Sequence, residues 1–171
     1  MFSASRTALG FAVSFLVVPA VPARPADGAP RSASAQGTIV YGGATRTIAY
    51  AFAVKGPDAV DEKKAIRRLV LSAIDVGPKI AACSTMACVD GSVTEGMEVD
   101  LDAGPRLNYW VALDGQRIQY SGTAIPEAFA ATANDGRRIA GRLSIDDSAA
   151  GGPKIDATFD AAIGRALARA R

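Results

Sequence analysis

The feature that most constrains this fold is a two-residue alternation of apolar and polar side chains, in segments broken by Gly-Gly and Asp-Gly dipeptides. Successive side chains of an extended strand point to opposite faces, so such alternation builds strands with one apolar face. Gly37 to Val54 reads as a hairpin around Gly42-Gly43, a dipeptide that accepts the positive φ of a tight turn. A two-residue loop opposes Tyr41 to Ala44 and Ile39 to Arg46. Ile39, Tyr41, Ile48, Tyr50, Phe52 and Val54 then share one face, with Arg46 a misfit whose stem snorkels outward near the turn. Leu107 to Gly122 reads as a second hairpin turning at Asp114-Gly115, with Val111 opposite Ile118 and Tyr109 opposite Tyr120.

Further strands obey the same rule. Arg67 to Val76 is apolar on both faces over its middle, which suits a central strand. Glu95 to Asp102 alternates Met97, Val99 and Leu101 against Glu98, Asp100 and Asp102. Arg137 to Asp146 and Lys154 to Ile163 alternate likewise, and Asp147 to Pro153 joins them as a third hairpin. The expected class is all-β with minor α: an antiparallel β-sandwich or barrel of about eight strands built from hairpins. Helix is expected only as turns at Pro78 to Cys83 and Asp58 to Arg67, as a helical turn or loop at Pro126 to Ala133, and as a frayed basic tail over 164–171.

The chain's start predicts export. Arg6 is the only charge before Arg24, and Leu9 to Val18 is an apolar run too short to cross about 30 Å of hydrocarbon comfortably. Residues 1–23 read as a signal peptide, with cleavage after Ala23 preferred over Ala20; an uncleaved anchor is the competing reading. No lipobox cysteine follows the apolar run. Residues 24–36 are Pro-, Ala- and Ser-rich and read as a flexible linker, leaving 37–163 as a single β-domain. The expected location is periplasmic or secreted, with no integral membrane segment in the mature chain.

Composition narrows the chemistry. The chain has no His and two Cys. Relays of the Ser-His-Asp kind, His-ligated metals and four-Cys zinc sites are therefore excluded. A formal charge of +2 gives no reason to expect nucleic acid as a partner. No G-x-S-x-G element or Gly-rich phosphate loop occurs. No cofactor, catalytic residue or resident metal is assigned.

Four short elements carry a resemblance: Gly37-Thr38-Ile39, Ala49-Tyr50-Ala51, Gly141-Arg142-Leu143 and Ala157-Thr158-Phe159-Asp160-Ala161. In these the chain resembles a family of small exported bacterial β-domains of unknown function, over residues 37–163. In that family's pattern a His often precedes the Ala-Tyr-Ala element, where this chain has Ile48. The resemblance implies a β-rich secreted fold and no established activity.

Four constellations are candidates for function. Cys83 and Cys88 in an exported chain are expected to form a structural disulfide, worth roughly 2 kcal/mol over so short a loop. Glu98, Asp100 and Asp102 share a strand face and form a possible cation site, with a solvated edge face as the simpler reading. Arg138 and Arg142 against Asp156 and Asp160 read as exposed ion pairs. Asn108, Trp110, Arg117 and Gln119 form the candidate binding patch, centred on a Trp on a polar face. The expectation is a non-enzymatic ligand- or partner-binding module, its partner an envelope protein or glycan. The alternative is a carboxylate-dependent hydrolase acting on glycans or other envelope substrates.

Overall fold

The computed structural model describes residues 33–171, together with Met1. The chain is all-β with minor helix. Its strands are β1 (Ala33–Tyr41), β2 (Ala44–Pro57), β3 (Ala65–Ser72), β4 (Gly96–Asp100), β5 (Leu107–Ala112), β6 (Tyr120–Ala124), β7 (Phe129–Asn134), β8 (Arg138–Asp146) and β9 (Lys154–Ala166). Two short helices, α1 (Gly77–Ala82) and α2 (Met86–Asp90), lie between β3 and β4. All nine strands belong to one sheet in the order β6-β5-β4-β3-β2-β1-β9-β8-β7.

That order forces the sheet to curl. β6 and β7 are its two edges, yet only Ile125 to Ala128 separate them in the chain. This connection spans at most about 18 Å. Nine flat strands about 4.8 Å apart would set the edges about 38 Å apart. The result is one sheet curled into a half-barrel, not the two facing sheets of a sandwich. Gly37 and Gly141, at φ 156° and 151°, permit the close strand approach. A Cβ at Gly37 would collide with the Asp156 carbonyl oxygen, and one at Gly141 with that of Ala130.

The β1–β2 hairpin has the expected register, with Tyr41 opposite Ala44 and Ile39 opposite Arg46. The expected third hairpin forms between β8 and β9, with Ile145 opposite Ile155. In the β5–β6 hairpin, Asp114 and Gly115 take the expected positive φ and Gln116 N–H donates to Leu113 O. Pairing resumes only at Tyr120, which faces Val111, so Tyr109 faces Gly122. The register is two residues away from that of a tight loop. A two-residue slip preserves the faces, and the segment with Arg117 and exposed Ile118 becomes loop.

Other elements depart from expectation. β1 begins at Ala33, inside the expected linker, because Ala35 and Gln36 pair with Phe159 and Thr158 of β9. The Pro126 to Ala133 segment holds one 3-10 turn (Pro126–Ala128) and then strand β7, whose pattern Phe-Ala-Ala-Thr-Ala-Asn lacks strong apolar alternation. No helix forms between Asp58 and Arg67; Asp58 instead accepts from the backbone N–H groups of Val60 and Asp61 in a turn. The Ala-rich tail is not a frayed helix. β9 extends to Ala166 and pairs in parallel with β2 over Ala53 to Lys55, and Leu167 and Ala170 are buried. Pairing with a neighbour there outweighs local helix propensity.

Two cores result. The concave face holds Ile39, Ile48, Leu69, Leu71, Val99, Tyr109, Val111, Ile139 and Phe159 among others. On the opposite face Phe52, Val54, Ile66 and Val70 pack under α1, α2 and Leu167. The β2 residues expected on one face are thus divided. Ile48, Ala51 and Ala53 join the first core, while Tyr50, Phe52 and Val54 pack with the second. The change falls beside Ala49, opposite a register break in β1 between Ser34 and Gly37. Cys83 and Cys88 form a disulfide, Cα–Cα 5.4 Å, that ties α1 to α2 over the second core.

Candidate functional site

The polar face of β3–β4–β5 beside α2 carries the densest chemistry. β4 is central, not an edge, and all five of its residues are buried. Glu98 and Asp100 therefore do not form a solvated row. They point to the side away from Met97 and Val99, onto Arg68 of β3. Arg68 Nε and Nη2 donate to Asp100 Oδ1 and Oδ2 at 2.6 and 2.9 Å, a bidentate pair across the ladder. Arg68 Nη1 also pairs with Asp90 of α2 and lies 3.5 Å from Glu98 Oε2. Arg68, Glu98 and Asp100 are only 4–5% exposed.

Three carboxylates thus surround one guanidinium. Burial works against the charge on Arg68, but Asp100 and Glu98 more than offset it, and its pKa is raised. Glu98 carries the imbalance. Burial pushes its carboxyl up to about 7 against the pull of Arg68, with Asp100 adding to the rise.

Trp110 covers the cluster. It stands opposite Glu98 on β5, and the guanidinium carbon of Arg68 is 5.5 Å from its ring centre. The indole is half-buried, with exposed Ser121 opposite it on β6. Asn108, also half-buried, lies two residues along the same face, between Asp100 and exposed Thr123. Of the expected patch, then, Asn108 and Trp110 come together. Arg117 and Gln119 sit in the β5–β6 loop instead of opposite Trp110, and the Gln119 carbonyl accepts from Tyr41.

Asp102 leaves the acidic row. It lies past the end of β4 and takes Arg67 Nε and Nη2 at 2.7 and 2.8 Å, which lowers its pKa. Glu98, Asp100 and Asp102 therefore do not converge, and among the described residues no group of three or more acids or cysteines is placed to hold a metal. Arg138 and Arg142 pair with Asp160 and Asp156 on the exposed face of β8–β9, diagonally across the ladder. Arg46 reaches Glu95 at 2.7 Å and Asp114, bridging the first hairpin to the β5–β6 turn.

A cleft of about 520 Å³ opens at the seam of the half-barrel, between β6 and the end of β8. β7 pairs with β8 only from Leu143 inward, so Ser144 to Asp146 face the cleft. Beneath it, Tyr109 donates to Asp147 and joins the two wings of the sheet. Sequence reasoning missed Arg68, Asp90 and this seam. The one available signal was an Arg placed at the start of an otherwise apolar strand.

No protein-family model, curated protein or solved structure matches the chain, so the resemblance to exported β-domains rests on its four short elements. Among the described residues no helix is long and apolar enough to cross a membrane.

Proposed function

We propose that this is an exported, non-enzymatic β-module that binds an envelope component, a glycan or a protein, through the outer face of β4–β5–β6 around Trp110. One observation carries the reading. Trp110 is held half-exposed over a guanidinium that is itself locked by buried carboxylates. Such an aromatic is ordered before it meets a ligand and loses little conformational freedom on binding. Asn108, Ser121 and Thr123 supply hydrogen-bonding groups around it. The disulfide supports an oxidising compartment; the expected signal peptide, residues 1–23, lies outside the described residues.

A second reading, the carboxylate-dependent hydrolase, has one observation in its favour: Glu98 is held near pH 7, where a general acid works. Its burial under Arg68 and Trp110 weighs against it, because a catalytic acid must reach substrate.

Retention of the purified protein on isolated envelope fractions tests the proposal. Binding should be lost in Trp110→Ala with the fold intact by circular dichroism. Equal retention of Trp110→Ala sinks it. Turnover of an envelope polymer by the wild type that is lost in Glu98→Gln while binding is kept favours the hydrolase.

A further inference from the structure

We infer that the seam cleft is a second subsite, and that the ligand is a neutral oligosaccharide running from Trp110 into it. This rests on the Trp110 reading and extends it.

The two places are continuous. Arg106, Asn108 and Trp110 alternate along one side of the chain, and the four residues from Trp110 to Arg106 cover about 13 Å of extended chain. The ladder sets Trp110 opposite Ser121 and Asn108 opposite Thr123. Arg106 Nε then donates to Thr123 Oγ1 at 2.9 Å and Nη2 to Thr123 O at 3.2 Å. Arg106 and Thr123 both line the cleft. A ligand covering both places is therefore an oligomer, not a single ring.

The lining sets the ligand's chemistry. Arg106, whose Nε and Nη2 are held by Thr123, presents Nη1 as a donor, Glu127 and Asp147 are acceptors, and Thr123 and Ser144 offer hydroxyls. Ala124 and buried Ile145 add apolar surface. Donors and carboxylates beside hydroxyls match neighbouring sugar hydroxyls, while the apolar face of a sugar ring stacks on an indole. Charge disfavours a polyion. Lys154 at 2.9 Å offsets Asp146, while Tyr109 is a neutral phenol that hydrogen-bonds Asp147 without offsetting it, so Arg106 stands against Glu127 and Asp147. A polyanion would meet two unoffset carboxylates, and a polycation would meet Arg106.

The test is amide chemical-shift mapping of the full-length chain. The probes are the hexamer and dimer of β-1,4-linked N-acetylglucosamine, the α-1,4-linked glucose hexamer, and a Lys-Ala hexapeptide. One of the hexasaccharides should shift the Trp110 indole together with the amides of Thr123 and Asp147. For the N-acetylglucosamine series this means binding at least tenfold tighter than its dimer. Arg106→Ala and, independently, Glu127→Gln should each weaken hexasaccharide binding about tenfold without changing the melting temperature. Shifts confined to Trp110, with dimer and hexamer bound equally, overturn the cleft subsite and leave the Trp110 platform standing. Shifts confined to the cleft overturn the Trp110 platform and the spanning ligand. Cleft shifts with the peptide alone, or no shift with any saccharide, overturn the inference.

Discussion

Arg68 and Trp110 sit on strands that are not neighbours, yet the Arg68 guanidinium reaches across β4 to lie against the Trp110 ring, its carbon 5.5 Å from the ring centre. The carboxylates of β4 hold it there: Asp100 from directly across the ladder, with Glu98 one step along. The exposed platform and the buried charges are therefore one unit.

Removing the cation should expose that dependence. Arg68→Met leaves Glu98, Asp100 and Asp90 without their common partner, and stability should fall by about 3–5 kcal/mol in urea unfolding. Adding Glu98→Gln and Asp100→Asn, which leaves only the partly exposed Asp90 charged, should recover most of the loss. By contrast, Arg142→Ala, which breaks an exposed pair, should leave the urea midpoint almost unchanged.

Glu98 gives stability a pH dependence of unusual sign for an acid. Its folded pKa is raised, to about 7, so the folded state holds its proton more tightly than the unfolded chain. That contribution is complete below the ordinary carboxylate range and is lost as pH rises to about 7, by on the order of 2–3 kcal/mol. Asp102, whose pKa is lowered by Arg67, acts oppositely and loses its contribution as pH falls. Denaturant midpoints should peak near pH 5 and decline toward neutrality. Glu98→Gln should remove the decline; an unchanged slope would refute the assignment. The chain's single Trp reports the same titration through its fluorescence.

Reducing Cys83–Cys88 should loosen one lobe only. The loop is short, so the loss is roughly 2 kcal/mol. Met86 and Ala87 donate to the carbonyls of Arg169 and Ala170, and Leu167 is buried against the same helices. Hydrogen exchange should therefore rise over 77–93 and 167–171 together, while β8 and β9 residues 138–160 stay protected.

Gly141→Ala tests the curl. The new Cβ meets the backbone of β7 at a φ of 151° that L-residues rarely adopt. We expect a loss above about 2 kcal/mol, measured by thermal unfolding. Gly136→Ala, where nothing lies near the added atom, serves as the control and should change little.

Part of this site was legible before the structure. Alternation places Asn108, Trp110, Glu98 and Asp100 on polar faces, and the ladder sets Glu98 opposite Trp110 and Asp100 opposite Asn108. What alternation could not say is whether a polar face is wet. Glu98 and Asp100 are buried because β4 is central and α2 brings Asp90 over its outer side, a matter of strand order and not of local pattern. Arg117 and Gln119 were misplaced because a two-residue change of register keeps every face and leaves no trace in the periodicity.

By itself, the amino-acid sequence determined most of the strands, the β1–β2 register, the β5–β6 turn and the pairing of its two cysteines. These follow from side-chain period, positive-φ glycines and short separations along the chain, all local quantities. Tertiary structure alone decided that nine strands form one sheet and that a four-residue link between its edges curls it. It also paired the end of β9 with β2 to bury the tail, and opened a cleft where β7 stops short of β8. Each of these depends on which distant segments become neighbours, a choice made by the closure of the whole sheet.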